Sequence, residues 1–243
     1  MREFFHAILY RPLYNLLIAL VALMPGNDMG LAIICITIII RLVLHPFSIS
    51  ALRSQRAIQR MQPKLRELKE KYKDDQKGFG TASMAMYKEN KVNPASSCLP
   101  LLLQLPILLA LYWVLRAGIT GVDQTLLYHF IPVPAHVSAI AFGFLDLQKS
   151  SWVIAVLAGA AQYFQAKMIQ VPAPSIKTEG SKDEAMMSAM NKQMLYLMPV
   201  MTIFIGWSLP AGLTIYWFLA TLLTIAQQWY IFRQLDREEA AKK

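Results

Sequence analysis

Acidic residues are missing from every long apolar stretch of this 243-residue sequence. All fifteen Asp and Glu fall at Glu3, Asp28, the 67–89 segment, Asp123, Asp146, the 179–184 segment and the tail after Phe232. Charge of either sign is scarce: 16% of residues are charged and 56% are hydrophobic, where a soluble domain carries about 25% charged. Cysteine is nearly absent. Cys35 and Cys98 both lie in or beside apolar runs, which supports neither a disulfide framework nor a cysteine metal site and reads as two small apolar residues. The four histidines, His6, His45, His129 and His136, are dispersed, with no HExxH and no histidine–carboxylate cluster. There is no glycine-rich phosphate loop, and Gly206-Trp-Ser-Leu-Pro has neither the spacing nor the strand of a nucleophile elbow. No covalent catalysis, metal or cofactor is expected, and the chain is not read as an enzyme.

What is present is apolar sequence in lengths that match a bilayer. About 20 apolar residues make a helix that crosses ~30 Å of hydrocarbon. Segments 29–50, 95–116 and 151–170 meet that length. The uncharged run that begins at Gln193 and ends at Phe232 is about twice it, and Pro210-Ala211-Gly212 offers the turn that divides it into 193–209 and 212–232. The fold class is therefore an all-α integral membrane protein with five transmembrane helices. Residues 3–24 are expected to lie in the interface as an amphipathic helix, because Arg11-Pro12 interrupts the apolar run and the remaining Leu13–Met24 is ~18 Å of helix; an uncleaved extra span is the alternative. In that reading Arg11, Tyr14 and Asn15 face outward. Met24-Pro25-Gly26-Asn27 does not make a signal-peptide cleavage site.

Net charge is +9. Spread over a soluble surface this would suggest nucleic acid, but most of it sits between residues 52 and 95, where eleven Lys/Arg meet five Asp/Glu. The positive-inside rule makes 52–94 cytoplasmic. The loop 117–150 is then extracytoplasmic, the loop 171–192 and the tail 233–243 are cytoplasmic, and the N-terminus is outside. Within 52–94, Leu52, Ile58, Met61, Leu65, Leu68 and Tyr72 mark one helical face. Asp74-Asp75 and Gly78-Phe79-Gly80 read as a break before a returning helix over Thr81–Asn90. A helical hairpin with an apolar seam and a basic surface follows, with Arg53, Arg56, Arg60 and Lys64 on its first limb. Met186, Met187, Met190, Met194, Met198 and Met201 recur at mostly helical spacing and suit adaptable packing, against the protein itself or a variable apolar partner.

Arg41 lies inside the first span, where an arginine costs roughly 2.5–3.5 kcal/mol on the lenient insertion scale. With no acidic residue in any span, an intramolecular ion pair within the membrane is excluded. Thr37 is one turn earlier on the same side. Gln104 sits centrally in the second span; Thr214, Tyr216, Trp217, Thr221 and Thr224 line the fifth, with Gln227 and Gln228 near its inner end. Interhelical hydrogen bonds and a hydrated recess both account for such residues. A small anion transporter or channel built on Arg41 is the alternative reading, although the spans show no convincing internal repeat.

Thr37-Ile-Ile-Ile-Arg41, His45-Pro46 and Met61-Gln62-Pro63-Lys64 resemble the opening of the YidC-type membrane protein insertases. Met86-Tyr87-Lys88, Lys91-Val92-Asn93-Pro94, Cys98-Leu-Pro-Leu-Leu-Leu-Gln104-Leu-Pro106 and Leu111-Tyr112 continue the resemblance. So do Met198-Pro199, Trp207-Ser208-Leu209-Pro210-Ala211-Gly212-Leu213, Tyr216-Trp217 and Gln227-Gln228. The resemblance implies five helices around a hydrophilic groove open to the cytoplasm and to lipid. Arg41, Thr37, Gln104, Trp217 and Tyr216 would line it, and the hairpin would receive clients. It implies nascent membrane proteins as partners, in the bacterial plasma membrane, alone or with the Sec translocon. Ribosome contact gains little support from a tail with four basic and three acidic residues.

Overall fold

A computed structural model of the protein describes residues 2–72, 75–90, 92–93, 99–169 and 193–241. Cys98 and the segment 170–192, with Met186, Met187 and Met190, lie outside the described residues. The described chain is all-α apart from one small ribbon. Its elements are α1 (Arg2–Phe5), a π-helical turn (His6–Tyr10), α2 (Arg11–Leu23), α3 (Met29–Val43), α4 (His45–Lys71), α5 (Gln76–Glu89) and α6 (Leu99–Thr120). Strands β1 (Ile140–Ala141) and β2 (Leu145–Asp146) pair antiparallel. Then follow α7 (Trp152–Ile169), a π-helical turn (Gln193–Leu197), α8 (Met198–Ser208) and α9 (Ala211–Ala240).

Helices α2, α3, α6 and α9 share a core of Tyr14, Leu17, Ile18, Val21, Ile33, Ile36, Leu111, Val114 and Tyr216. Small residues set the second contact. Ala155, Ala158 and Gly159 are buried on α7, and a Cβ placed on Gly159 would stand 2.3 Å from Ile203 Cγ1 of α8. Such close backbones are how helices pack where lipid competes for apolar surface. The Thr214 hydroxyl ties α9 to α8 by donating to the Gly206 carbonyl at 3.0 Å. Large apolar side chains point away from the bundle: Trp113, Phe164, Phe204, Trp207 and Trp229 are each more than half exposed. A water-soluble surface does not carry apolar area on that scale.

One end of the bundle is closed by the 121–150 segment. Asp28 caps α3 by accepting from Gly30 N and Leu31 N, and its second oxygen accepts from Phe142 N at 2.7 Å. The first N–H groups of α9 have no partner within their helix; Ala211 N donates to Lys149 O (2.8 Å) and Gly212 N to Leu147 O (3.2 Å).

Three local features differ from the sequence reading. Tyr14 and Asn15 turn inward. Both are buried; the Tyr14 hydroxyl accepts from Asp123 N (2.8 Å), and Asn15 grips Leu126 O and Tyr128 N. The polar face of α2 therefore meets a loop of the protein, and His6–Leu23 together form the one single helix long and apolar enough to cross a membrane among the described residues. Second, the helix through Arg41 does not run straight to residue 50. It ends at Val43 and bends by 64° into α4, because Pro46 has no N–H for the next helical bond and its ring crowds the turn before it. Third, Gly78 and Gly80 lie inside α5. The Asp75 carboxylate accepts from Gly78 N at 2.9 Å, and this cap starts the helix at Gln76 rather than at Thr81.

Candidate functional site

The bend leaves Arg41 in the last turn of α3. Its side chain is half-buried between α3 and α9, within electrostatic reach of the Tyr216 ring hydroxyl. No hydrogen bond or ion pair to another described residue satisfies its guanidinium. Tyr216 is almost wholly buried on α9, and its hydroxyl accepts from Gln104 Nε2 of α6 at 2.9 Å. Three helices thus bring one cation, one phenol and one amide together. A half-buried guanidinium without a partner among the described residues keeps its charge by meeting water or a counter-charge on its open side.

The other groove candidates stand differently. Thr37 is fully buried, and its hydroxyl donates to the Ile33 carbonyl of its own helix. Trp217 is half-buried beside Tyr216, about 100° further round α9. At the bend, Gln227 Nε2 lies 2.9 Å from His45 Nδ1. The side-chain oxygens of Gln227 and Gln228 are buried with no hydrogen-bond partner among the described residues.

On the hairpin, Arg53 and Lys64 are exposed. Arg56 and Arg60 are engaged: both reach the Asp236 carboxylate near the end of α9, at 2.7 and 2.6 Å. Sequence reasoning missed Asp236, and also Gln59, whose amide donates to Ile169 O (2.6 Å) and Met168 O (3.2 Å) at the end of α7. No local signal links residues so far apart in the chain. A shallow apolar cleft runs between α7 and α9, lined by Ala161, Phe164, Met168, Leu222 and Ile225, with Lys167 at its margin. Among the described residues no group of three or more His, Cys, Asp or Glu could hold a metal ion.

Apolar side chains outside and a polar cluster within make this an all-α membrane protein. The chain belongs to the family described as "60Kd inner membrane protein", which matches residues 20–239. It is similar to the protein named "Membrane protein insertase YidC" of Fusobacterium nucleatum subsp. nucleatum, 32% identical over 228 residues, which are 91% of this chain and 98% of that one. Proteins of the same name from Francisella tularensis subsp. novicida and subsp. tularensis are 34% identical over 207 residues, 85% of this chain. The match covers 33% of each Francisella protein, so the chain spans about a third of their length.

Proposed function

We propose that this chain is a membrane protein insertase of the bacterial plasma membrane, working alone or with the Sec translocon. It takes acidic, hydrophilic client segments into a groove around Arg41 and releases their apolar helices to lipid. Five spans, the first formed by α3 (Met29–Val43) up to its bend into α4 and the others over 95–116, 151–170, 193–209 and 212–232, carry the groove, with the N-terminus outside and the hairpin and C-terminus in the cytoplasm. The observation that carries this reading is Arg41, whose guanidinium has no hydrogen bond or ion pair among the described residues while Tyr216 and Gln104 occupy each other beside it.

The physics follows from that vacancy. A wet recess part-way through the bilayer shortens the apolar path that a client's polar end must cross. A client carboxylate reaching Arg41 gains more from the charge there than in bulk water, because the surrounding dielectric is lower. The apolar part of the client then follows the cleft between α7 and α9 into lipid. Transfer of about 20 apolar residues into hydrocarbon supplies the drive, and no nucleotide is consumed. The names of the relatives support the same function, and the exposed Arg53 and Lys64 suit first contact with acidic segments.

Reconstitution tests this directly. Proteoliposomes holding the full chain are given a short client with an acidic N-terminal segment, and protease protection reports its insertion. Arg41→Ala should abolish insertion, and Arg41→Lys should keep much of it. Full insertion by Arg41→Ala would sink electrostatic capture; selective anion flux without insertion would make the protein a transporter.

A further inference from the structure

The last helix is longer than its apolar part. α9 runs for 30 residues, ~45 Å, and its final turns leave the bundle alongside the root of the hairpin. Three separate attachments join them there. The Asp236 carboxylate accepts from Arg56 Nη2 (2.7 and 2.9 Å), Arg56 Nε (3.2 Å) and Arg60 Nη2 (2.6 Å). Beneath it, Leu52 packs with Ile231 and Phe232 in a small apolar core flanked by Ile49 and Leu235, and the Arg56 guanidinium lies 5.1 Å from the Phe232 ring centroid. Arg56 Nη1 also donates to Gln59 Oε1 at 3.0 Å. The amide of Gln59 then closes the chain by donating to the last carbonyls of α7, groups that a helix end leaves without partners.

We propose that Asp236 is a positioning residue: it fixes α4 against α9 and so sets the direction in which the hairpin presents Arg53 and Lys64 to a client. The functional half of this rests on the insertase reading; the structural half does not. A single exposed ion pair contributes little. This carboxylate, however, serves two guanidiniums at once, one of them with two-oxygen geometry that adds directional preference, and it sits over an apolar contact and beside a third helix. That arrangement is a strut with defined angles. A carboxylate resting transiently on a basic patch would need neither the Phe232 stack nor the Gln59 link.

The test measures geometry and activity separately on the full chain in lipid. Spin labels are placed at Lys77→Cys in α5 and Gln234→Cys in α9, with Cys35 and Cys98 replaced by serine, and the inter-label distance distribution is read. The strut requires a narrow distribution in the parent and in Asp236→Glu, and a longer, broader one in Asp236→Arg. The charge swap Arg56→Asp, Arg60→Asp, Asp236→Arg should restore the narrow distribution. Client insertion by Asp236→Arg should fall about five-fold, and Asp236→Glu should stay near the parent. An unchanged distribution in Asp236→Arg overturns the strut. A broadened distribution with undiminished insertion overturns its role in positioning. Tighter binding of an acidic peptide to Asp236→Asn at unchanged distance would make Asp236 an internal occupant of the basic face, which also overturns it. If neither parent nor variants insert any client while the distances behave as stated, the insertase reading falls and the strut stands.

Discussion

The Gln104 amide donates to the Tyr216 hydroxyl at 2.9 Å, joining α6 to α9 beside Arg41. The bond uses only the amide's donor and one lone pair of the phenol oxygen. Tyr216→Phe removes the acceptor and strands a half-buried amide, so it should destabilise the protein by about 0.5–1.5 kcal/mol. Gln104→Leu removes the donor and should cost a similar amount. If the bond is the shared cause, the double substitution costs clearly less than the sum, with a coupling of roughly 0.5–1 kcal/mol. Thermal unfolding in detergent for the four proteins checks this, and strict additivity would show that the two side chains act independently.

Gly159 tests the α7–α8 contact. Its missing Cβ would meet Ile203 Cγ1 at 2.3 Å and the Pro199 carbonyl at 2.9 Å, and backbone cannot yield as a side-chain tip does. Gly159→Ala should cost about 1–3 kcal/mol through overpacking. Gly80 is the internal control. It lies in α5 with nothing within 4 Å of its would-be Cβ, so Gly80→Ala should be neutral or stabilise by up to ~1 kcal/mol. Equal melting temperatures for Gly159→Ala and the parent would remove the close-contact account.

How far these features were legible depends on their range. Arg41, Gln104 and Tyr216 stand out in the sequence because a polar residue in an apolar run needs an explanation wherever it points. Which of them pair is a matter of helix packing. Thr37 carries the same signal as Gln104, yet its hydroxyl returns to its own helix, an outcome periodicity alone does not distinguish. Asn15 was misjudged for a related reason: an amphipathic pattern identifies the polar face but not whether water or a loop covers it. Asp236 and Arg56 are 180 positions apart, and nothing local in a charged tail announces a partner. The bend at Leu44 was written in Pro46, whereas the glycines of α5 suggested a break that the Asp75 cap moved upstream.

Asn15 gives the next prediction. Its Nδ2 donates to Arg11 O (2.8 Å) and Leu126 O (3.0 Å), and its Oδ1 accepts from Tyr128 N (2.6 Å). Arg11 reinforces the same loop through Leu126 O (3.1 Å) and the Tyr128 ring. Asn15→Leu keeps the branched shape of the side chain but leaves the part-buried Tyr128 N–H unpaired, at a cost of about 1–3 kcal/mol. Hydrogen exchange should accelerate across residues 123–131 and not across α7. Uniform acceleration over the whole chain would instead mean that the loop is no separate unit.

The ion pair at Asp236 predicts an acid limit with a definite sign. Its hydrogen bond from Arg56 holds the carboxyl below the usual aspartate range, with Arg60 adding to the effect against partial desolvation. A group whose pKa is lowered by folding contributes stability at pH above its unfolded value, and that contribution fades as pH falls through the folded one. The Lys77–Gln234 label distance should therefore stay constant from neutral pH down to the ordinary aspartate value of about 3.9, and lengthen only in stronger acid. In Asp236→Asn the same scan should be flat, since no proton is left to bind there. A transition well above that value would show that another group governs the hairpin angle and would take its control away from Asp236.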